Sequence, residues 1–411
     1  MTCYPVRRYS EAMLRMALAT FAAAILTGFG AVGFYLASVG LIGGLLGWAK
    51  SPFVATVPAI GFCALGIVLQ AFPRTNVGGI REVRFSMQKE KEPVPFVRGW
   101  NVVLSCLFLG VGGSAGSEGP IAQLGGLIGS RIAHWLQLPG VEIRTVMRAA
   151  IAAGTAAIFR SPLGGIMLTI ELFDARLDRH MLPIAASAVL GFLARIAIRG
   201  NEYPLSPHVA FDRLPWFTLL ILLPAMGMIA AFAGKLFLWN FERWKAVFPK
   251  SWPLWVRVTA GGVLLSAIGL WFPQVLGGGY PVIRQSMDGA IPWQLFVVLF
   301  ALKILATSIT FGSGAVGGIF APVFVIGGLF GGAFGFGIHQ IAPWAIPQGE
   351  LFVMLGAMLM FGCIIKCKWT GFLIFADLSG SHADLLVPAF IAGGVAHYVT
   401  KKINQRSLYR D

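Results

Sequence analysis

Nine apolar stretches dominate this sequence, and they restrict its fold more than any other feature. They cover residues 14–48, 53–72, 100–113, 182–198, 215–239, 254–272, 293–309, 320–338 and 351–365. A bilayer core about 30 Å thick needs about 20 helical residues to cross it. Only 12% of the 411 residues are charged, about half the share in a typical soluble domain. The sequence therefore predicts an all-α, multi-pass membrane protein.

Glycine and proline interrupt many of these stretches, with 52 and 23 residues in the chain. Irregular backbone at membrane depth is tolerated only where protein buries it or where it lines a watery cavity. Three glycine-rich polar breaks stand out, over residues 76–82, 112–120 and 312–322. This pattern favours tilted, broken helices arranged around a site over a simple helical bundle.

The sequence contains an internal repeat. Segments that begin at Pro120 and Pro322, 202 residues apart, both read P-x3-[L/I]-G-G-L-[I/F]-G. A second pair, 165–171 and 371–377, is offset by 206 residues. Repeated halves are common in transporters, whose site lies near the midplane where the halves meet. We predict one transmembrane domain (1–411) with repeats at about 10–205 and 212–400 and a terminal segment at 401–411.

The second and third glycine-rich breaks each lead into an apolar helix with a proline near its first turn. Such a break exposes the unpaired N–H groups and the positive dipole end of the helix. Several converging helix starts can hold an anion without a fixed positive side chain. Glu118 lies within one break, and a carboxylate at membrane depth is costly and usually functional. We predict that Glu118 competes with a transported anion and that its protonation vacates the site.

The chain has a net charge of +15, and basic residues cluster near residues 7–15, 74–98 and 401–410. Basic loops of membrane proteins stay on the cytoplasmic side, so we expect a multi-pass protein of the cell (inner) membrane. These residues flank apolar spans instead of forming a soluble basic patch, which argues against a nucleic-acid partner. The five cysteines and six histidines show no metal-ligand pattern, so we expect neither a metal nor another cofactor.

Taken together, the motifs resemble those of the CLC family of chloride channels and proton/chloride exchangers. Gly116-Ser-Glu-Gly-Pro120 is similar to the family's G-[K/R]-E-G-P motif, and Gly318-Ile-Phe-Ala-Pro322 to its G-x-F-x-P motif. Tyr409 falls where the family places its pore tyrosine. The resemblance implies chloride or a similar small anion as substrate, and protons in the exchangers. It also implies a homodimer in the lipid bilayer, with inverted-topology repeats and a separate pore in each subunit.

The resemblance also implies the roles of individual residues. Glu118 would be the external gating glutamate and part of the proton pathway. Ile319 and Phe320 would offer backbone N–H groups to the central anion, and Tyr409 would offer its hydroxyl. The complete set of expected anion-binding residues is Gly78, Gly79, Gly116, Ser117, Glu118, Gly119, Gly318, Ile319, Phe320 and Tyr409.

Four positions depart from the family pattern. Gly78 stands where the family has a serine that faces the central anion, and Arg81 stands where it has a proline. Ser117 replaces a basic residue, and Leu172 occupies the position of the inner glutamate of many exchangers. Leu172 cannot carry a proton, which favours a passive, pH- or voltage-gated chloride channel. The chain ends two residues after Tyr409, so we expect no C-terminal regulatory domains. This expected lack resembles the small bacterial exchangers and favours proton-coupled exchange. We expect exchange.

Two other classes of protein are weaker interpretations. An intramembrane enzyme would need a convergent nucleophile–base pair or a metal cluster, and the sequence shows neither. A transporter of cations or organic substrates would favour an acidic pocket in the membrane. Glu118 is instead flanked by helix-start glycines, which suit an anion. We therefore predict an anion transport protein and not an enzyme.

The glycine at position 78 predicts loose anion selectivity. It removes a hydroxyl donor from the expected central site, and a site with one donor fewer discriminates less between similar ligands. We expect Gly78→Ser to sharpen the preference for chloride over bromide, nitrate and thiocyanate. Relative flux rates in loaded vesicles measure this preference. An unchanged order of permeation would contradict the role assigned to Gly78.

Overall fold

The computed structural model describes residues 4–48, 56–72, 79–89, 92–202, 214–380, 383–403 and 408–409. Gly78 and parts of the basic segments lie outside these residues. The helices of the first half are α1 (Tyr4–Trp48), α2 (Thr56–Ala71), α3 (Ile80–Lys89), α4 (Gly99–Gly110), α5 (Glu118–Trp135), α6 (Gly140–Phe159), α7 (Pro162–Phe173) and α8 (Met181–Arg199). Those of the second half are α9 (Leu223–Val247), α10 (Leu254–Trp271), α11 (Tyr280–Met287), α12 (Trp293–Ser313), α13 (Phe320–Ile341), α14 (Glu350–Ile365), α15 (Lys368–Ser379) and α16 (Ala383–Lys402).

The described part of the chain contains six helical segments long and apolar enough to cross a membrane. They are Glu11–Gly44, Met181–Arg199, Thr218–Val247, Leu254–Trp271, Trp293–Ser313 and Phe320–Ile341. Other apolar helices, such as α2, α7 and α14, have only 12 to 16 residues. Large apolar side chains such as Leu182 and Trp271 are about four-fifths exposed, as expected for surfaces in lipid. The prediction of an all-α, multi-pass membrane protein with broken helices is confirmed.

Corresponding helices of the two halves keep the offsets found in the sequence. Helices α7 and α15 both have 12 residues, and their starts and ends are each 206 residues apart. Helices α5 and α13 begin 202 residues apart. The polar breaks before α5 and α13 therefore occupy equivalent places in the two halves.

Even the turns between helices are repeated. Arg160 and Lys366, at the ends of α6 and α14, both have left-handed backbone conformations, with φ of 56° and 66°. Gly112 and Gly314, in the two glycine-rich breaks, have φ of 94° and 102°. A non-glycine residue rarely adopts a positive φ. The recurrence of such a residue at the same offset shows that the two halves share the backbone conformation of these turns.

Helices α7 and α15 contact each other and run in opposite directions. Near the C-terminal end of α7, Glu171 accepts hydrogen bonds from the backbone N–H and the hydroxyl of Thr370, both at 2.8 Å, at the start of α15. Near the C-terminal end of α15, Asp377 accepts a 2.6 Å hydrogen bond from Ser161, the residue before α7. Each helix thus supplies a carboxylate to the N-terminal end of the other. This reciprocal capping requires an antiparallel, inverted arrangement of the two halves at this contact.

The most tightly packed part of the core lies between α13 and α14. The rings of Phe324 and Phe361 stack with centroids 4.4 Å apart. Glycines on both helices let the two backbones approach so closely that a Cβ atom at Gly331 would overlap the carbonyl oxygen of Phe352 and lie 3.1 Å from the Cα of Gly356. Small residues of this kind let helices pack in lipid, where apolar surface alone provides no driving force.

Gly331→Ala tests this close approach. The added methyl group meets backbone atoms that cannot rotate away, so we expect a loss of about 1–3 kcal/mol of stability, typical of overpacking. The measurement is thermal unfolding of the purified protein in detergent. Gly33→Ala is the matched control, because its Cβ on α1 meets no atom within 4 Å. Equal melting temperatures for the two variants would contradict the packing argument.

Candidate functional site

The second and third glycine-rich breaks meet at a pair of backbone hydrogen bonds. The N–H of Gly116 donates to the carbonyl of Gly318 at 2.6 Å, and the N–H of Gly318 donates to the carbonyl of Gly116 at 2.8 Å. A Cβ atom on Gly318 would lie 2.6 Å from the backbone nitrogen of Gly119, so a larger residue would force the breaks apart. This bridge brings the starts of α5 and α13 together.

Glu118, the first residue of α5, places its carboxylate between these two helix starts. Its Oε2 accepts a 3.3 Å hydrogen bond from the N–H of Ala321, in the first turn of α13. The carboxylate also accepts a hydrogen bond from the amide of Glu118 itself, at the start of α5. Only 6% of Glu118 is exposed. Because helix N-termini attract anions, the carboxylate occupies a place where a free anion would also be bound.

The other carboxylate oxygen is held by side chains. Oε1 of Glu118 accepts a 2.6 Å hydrogen bond from the hydroxyl of Tyr280 and a longer one, of 3.4 Å, from the hydroxyl of Ser117. Tyr280 is 162 residues away in the sequence, and our sequence analysis did not include it. The signal that could have pointed to it is the Gly277-Gly278-Gly279 run that immediately precedes it.

A cavity of about 320 Å³ adjoins the bridge. At one end it is lined by Gly119 and Ile319, next to Glu118, and elsewhere by Tyr409 and Lys245. Residues of α3 and the glycine before it, of α4, of α5 and of the third glycine-rich break complete its lining: Gly79, Ile80, Arg81, Asn101, Ser105, Pro120, Gln123, Gly314, Ala315, Val316 and Gly317. Phe241, Phe311 and Leu408 add apolar surface. The cavity is large enough to hold several water molecules or a hydrated anion.

Tyr409 reaches this cavity because two arginines hold the backbone beside it. Arg81 donates to the carbonyl of Leu408 at 2.7 Å, and Arg84 donates to the carbonyl of Tyr409 at 3.0 Å. The ring of Tyr409 packs edge-on against Phe320, with centroids 6.0 Å apart. Arg81, which the sequence marked only as a departure from a motif, thus positions the terminal segment. A proline at position 81 could not make this contact.

A sequence profile decides which family the chain belongs to. The profile of the family described as "Voltage gated chloride channel" matches residues 60–401, which include all three glycine-rich breaks, Glu118 and most of α16. The chain belongs to the voltage-gated chloride channel family. The CLC resemblance of its motifs is confirmed.

Individual relatives and solved structures agree with this assignment. The chain is 26% identical, over 92% of its length and 87% of the relative's, to the H(+)/Cl(-) exchange transporter ClcA of Vibrio campbellii. Its fold matches a slow cyanobacterial Cl-/H+ antiporter with a TM-score of 0.82 at 21% identity, covering 95% and 97% of the two chains. It also matches a CLC-type fluoride/proton antiporter with a TM-score of 0.81 at 22% identity, covering 100% and 98%.

From the sequence, several residues around this cavity were expected to be direct ligands of the anion. The amides of Gly116 and Gly318 are instead bonded to each other, so these glycines contribute by bringing the helix starts together. Ile319 and Phe320 lie at the N-terminal end of α13, where backbone N–H groups have no partner within the helix. The amide of Gly79 donates to the side chain of Gln123 at 3.2 Å and lines the cavity.

Gln123 also connects α3 to the rest of the site. Its amide nitrogen donates to a carboxylate oxygen of Glu82 at 3.3 Å, and Glu82 pairs with Arg98 at 2.6 Å. Burial raises the pKa of Glu82 above its usual range, and the positive charge of Arg98 opposes that rise. The network fixes the start of α3, and with it Gly79 and Arg81, beside the cavity.

The expected inner proton site contains no acid. Leu172 is fully buried in α7. Its neighbour Glu171 accepts hydrogen bonds from the backbone N–H groups of Trp369 and Thr370 at the start of α15. Glu171 therefore faces α15.

Proposed function

We propose that this protein exchanges chloride for protons across the cell (inner) membrane and that Glu118 is the gate. The observation that carries the proposal is the carboxylate held by the N–H groups of two converging helix starts. A carboxylate there excludes a transported anion, and a protonated carboxyl group would release the helix starts to bind one. The ClcA relative, named as an H(+)/Cl(-) exchange transporter, supports the same function.

The absence of a fixed cation in direct contact with Glu118 suits rapid transport. The donors to its carboxylate in the described residues are two backbone N–H groups and two hydroxyls. Partial charges hold an anion less tightly than a salt bridge does, and conduction requires that a bound ion can leave again. The site supports binding and release of a small anion without a large barrier.

Protons need a route to Glu118 that does not use an acid at position 172. The cavity of about 320 Å³, between Tyr409 and the helix starts, is the candidate route, since water inside it can carry protons to the carboxylate. Passive conduction is the second candidate function. The observation that favours it is the buried Leu172 beside a Glu171 already engaged at α15.

We also propose the repeat boundaries and the assembly. The first repeat covers about residues 10–205, the second about 212–400, and the terminal segment 401–411 carries Tyr409. The matched offsets of α5 with α13 and of α7 with α15 support these limits. In line with the family resemblance, two copies form a homodimer in the bilayer, and each subunit has its own site.

The zero-current voltage tests the proposed exchange. We expect vesicles containing the purified protein to release chloride once a potassium ionophore removes the opposing voltage. Under opposed chloride and proton gradients, the zero-current voltage should move when only the proton gradient is changed. A voltage that stays at the chloride equilibrium potential identifies a passive channel. Vesicles no leakier to chloride than empty ones would overturn anion transport, and a parallel fluoride-loaded set shows whether fluoride passes instead.

Glu118→Gln tests the gate. The amide cannot ionise, so we expect transport that no longer depends on pH and moves no protons, while anion passage continues. The readout is chloride efflux between pH 4 and 8, together with proton uptake. Glu171→Gln is the matched control, because it neutralises another carboxylate that accepts N–H groups at a helix start. That variant should keep the wild-type pH profile, and a Glu118→Gln protein with the wild-type profile would remove Glu118 from the mechanism.

A further inference from the structure

A short hydrogen bond to Glu118, the proposed gate, comes from a residue that the family motifs do not include. The Tyr280 hydroxyl donates to Oε1 of Glu118 at 2.6 Å, whereas Ala321 and Ser117 lie 3.3 and 3.4 Å from the carboxylate. An ionised carboxylate only accepts hydrogen bonds. Bonds from hydroxyls to carboxylates are short, about 2.5–2.7 Å, and about twice as strong as neutral ones. This contact has the length of a charge-assisted bond.

We propose that Tyr280 is a positioning residue that stabilises ionised Glu118 in the place of the anion, and so sets the pH at which transport is half-maximal. The inference rests on the proposed gating role of Glu118. Its physical basis is that the hydrogen bond from Tyr280 differs in strength between the ionised and the protonated form of Glu118. The hydroxyl favours the charged carboxylate that excludes the anion, and its bond is about half as strong once Glu118 is protonated.

A buried lysine holds the backbone that presents Tyr280. Lys303, in the middle of α12, is completely buried. Its Nζ donates to the carbonyls of Val275 and Gly277, both at 2.7 Å. Burying a cation is costly unless hydrogen bonds compensate for its lost hydration. In the described part of the chain, its hydrogen-bond partners are these two carbonyls, so the ammonium group stabilises the loop directly before Tyr280.

The same loop is fixed from the first repeat. The N–H of Gly277 donates to the carbonyl of Gly112 at 3.0 Å, within the second glycine-rich break. Gly277 and Gly279 have positive φ of 64° and 83°, and a Cβ on Gly279 would lie 3.0 Å from Val325. The loop is therefore anchored to both repeats and has little room to move. Tyr280, the first residue of α11, begins from this fixed point, so its hydroxyl is already positioned before Glu118 ionises.

Other charged or titratable groups near this contact have less direct effects. Tyr409 interacts electrostatically with Glu118 from the cavity side. Tyr280 itself interacts with Tyr35 on α1 and with Arg195 on α8. In the described residues none of these three donates a hydrogen bond to the Glu118 carboxylate. They contribute to the electrostatic potential around the contact, whereas Tyr280 contributes the short hydrogen bond. Removal of the Tyr280 hydroxyl alone therefore isolates the effect of that bond.

Tyr280→Phe tests the inference, because it deletes one oxygen and keeps the ring. Without the donor, Glu118 should take up its proton at higher pH. We therefore expect the half-maximal pH of chloride efflux to rise by about one to two units, the equivalent of a hydrogen bond to a charged group. Tyr398→Phe is the matched control, since it deletes the same atom from a side chain on α16 that is 62% exposed. It should leave the profile unchanged.

A double variant separates this inference from the proposed function. If Tyr280 acts through Glu118, adding Tyr280→Phe to Glu118→Gln should produce no further change in the pH profile. A wild-type profile in Tyr280→Phe, together with a pH-independent Glu118→Gln, overturns the role of Tyr280 but leaves the gate in place. A pH-dependent Glu118→Gln overturns the gate itself.

Lys303→Met provides a second, independent variant. It keeps an unbranched side chain that is only one heavy atom shorter, removes the two bonds to the loop and leaves the Tyr280 hydroxyl intact. We expect a smaller shift of the half-maximal pH in the same direction, since a loosened loop holds the hydroxyl less well. Thermal unfolding shows whether each variant is folded. If Tyr280→Phe cannot be purified in folded form, an unshifted profile in folded Lys303→Met overturns the inference.

Discussion

The two hydrogen bonds between Gly116 and Gly318 are the contact on which the rest of the site depends. They join irregular backbone from both halves of the chain and satisfy groups that would be costly to leave unpaired in a membrane. Only glycine permits this approach, because a Cβ on Gly318 would lie 2.6 Å from the nitrogen of Gly119. Once the breaks are joined, the starts of α5 and α13 must face each other.

Convergence of two helix starts explains how a carboxylate can be retained inside this protein. An ionised group away from water is stable only where hydrogen bonds replace its lost hydration. Glu118 receives them from its own amide, from Ala321 and from Tyr280. The same donors would serve a chloride ion, so the arrangement that stabilises the carboxylate also creates the competition between the two. Stability and gating thus have one physical origin.

Much of the architecture could be predicted from sequence because its signals are local. Apolar length predicts the helices, and glycine runs at offsets of 202 and 206 residues reveal the repeat. Glu118 was also accessible, since a carboxylate flanked by glycines in an apolar region is unusual. The apolar stretch at residues 14–48 gave no exact boundary, and the structure extends that helix to Tyr4.

The partners of the gate could not be predicted in the same way. Tyr280, Lys303 and Arg81 act through contacts with residues 162, 26 to 28 and 327 positions away. Neither periodicity nor composition records such pairings, because they arise only when elements distant in the sequence pack together. Arg81 is instructive: the sequence marked it only as a departure from a motif, whereas the structure gives it a role in holding Leu408 and hence Tyr409.

The starts of α5 and α13 occupy equivalent positions in the repeat but carry different side chains, and that difference gives the site a direction. The first residue of α5 is Glu118, and the first residue of α13, at the equivalent position, is Phe320. Two matching helix starts therefore present a titratable carboxylate from one half and an apolar ring, packed against Tyr409, from the other. Carboxylates at both positions would place two negative charges close together. They would repel each other and would also repel an entering anion. A single carboxylate between two helix starts can be displaced, so the divergence at this one position is what the proposed opening and closing of the site requires.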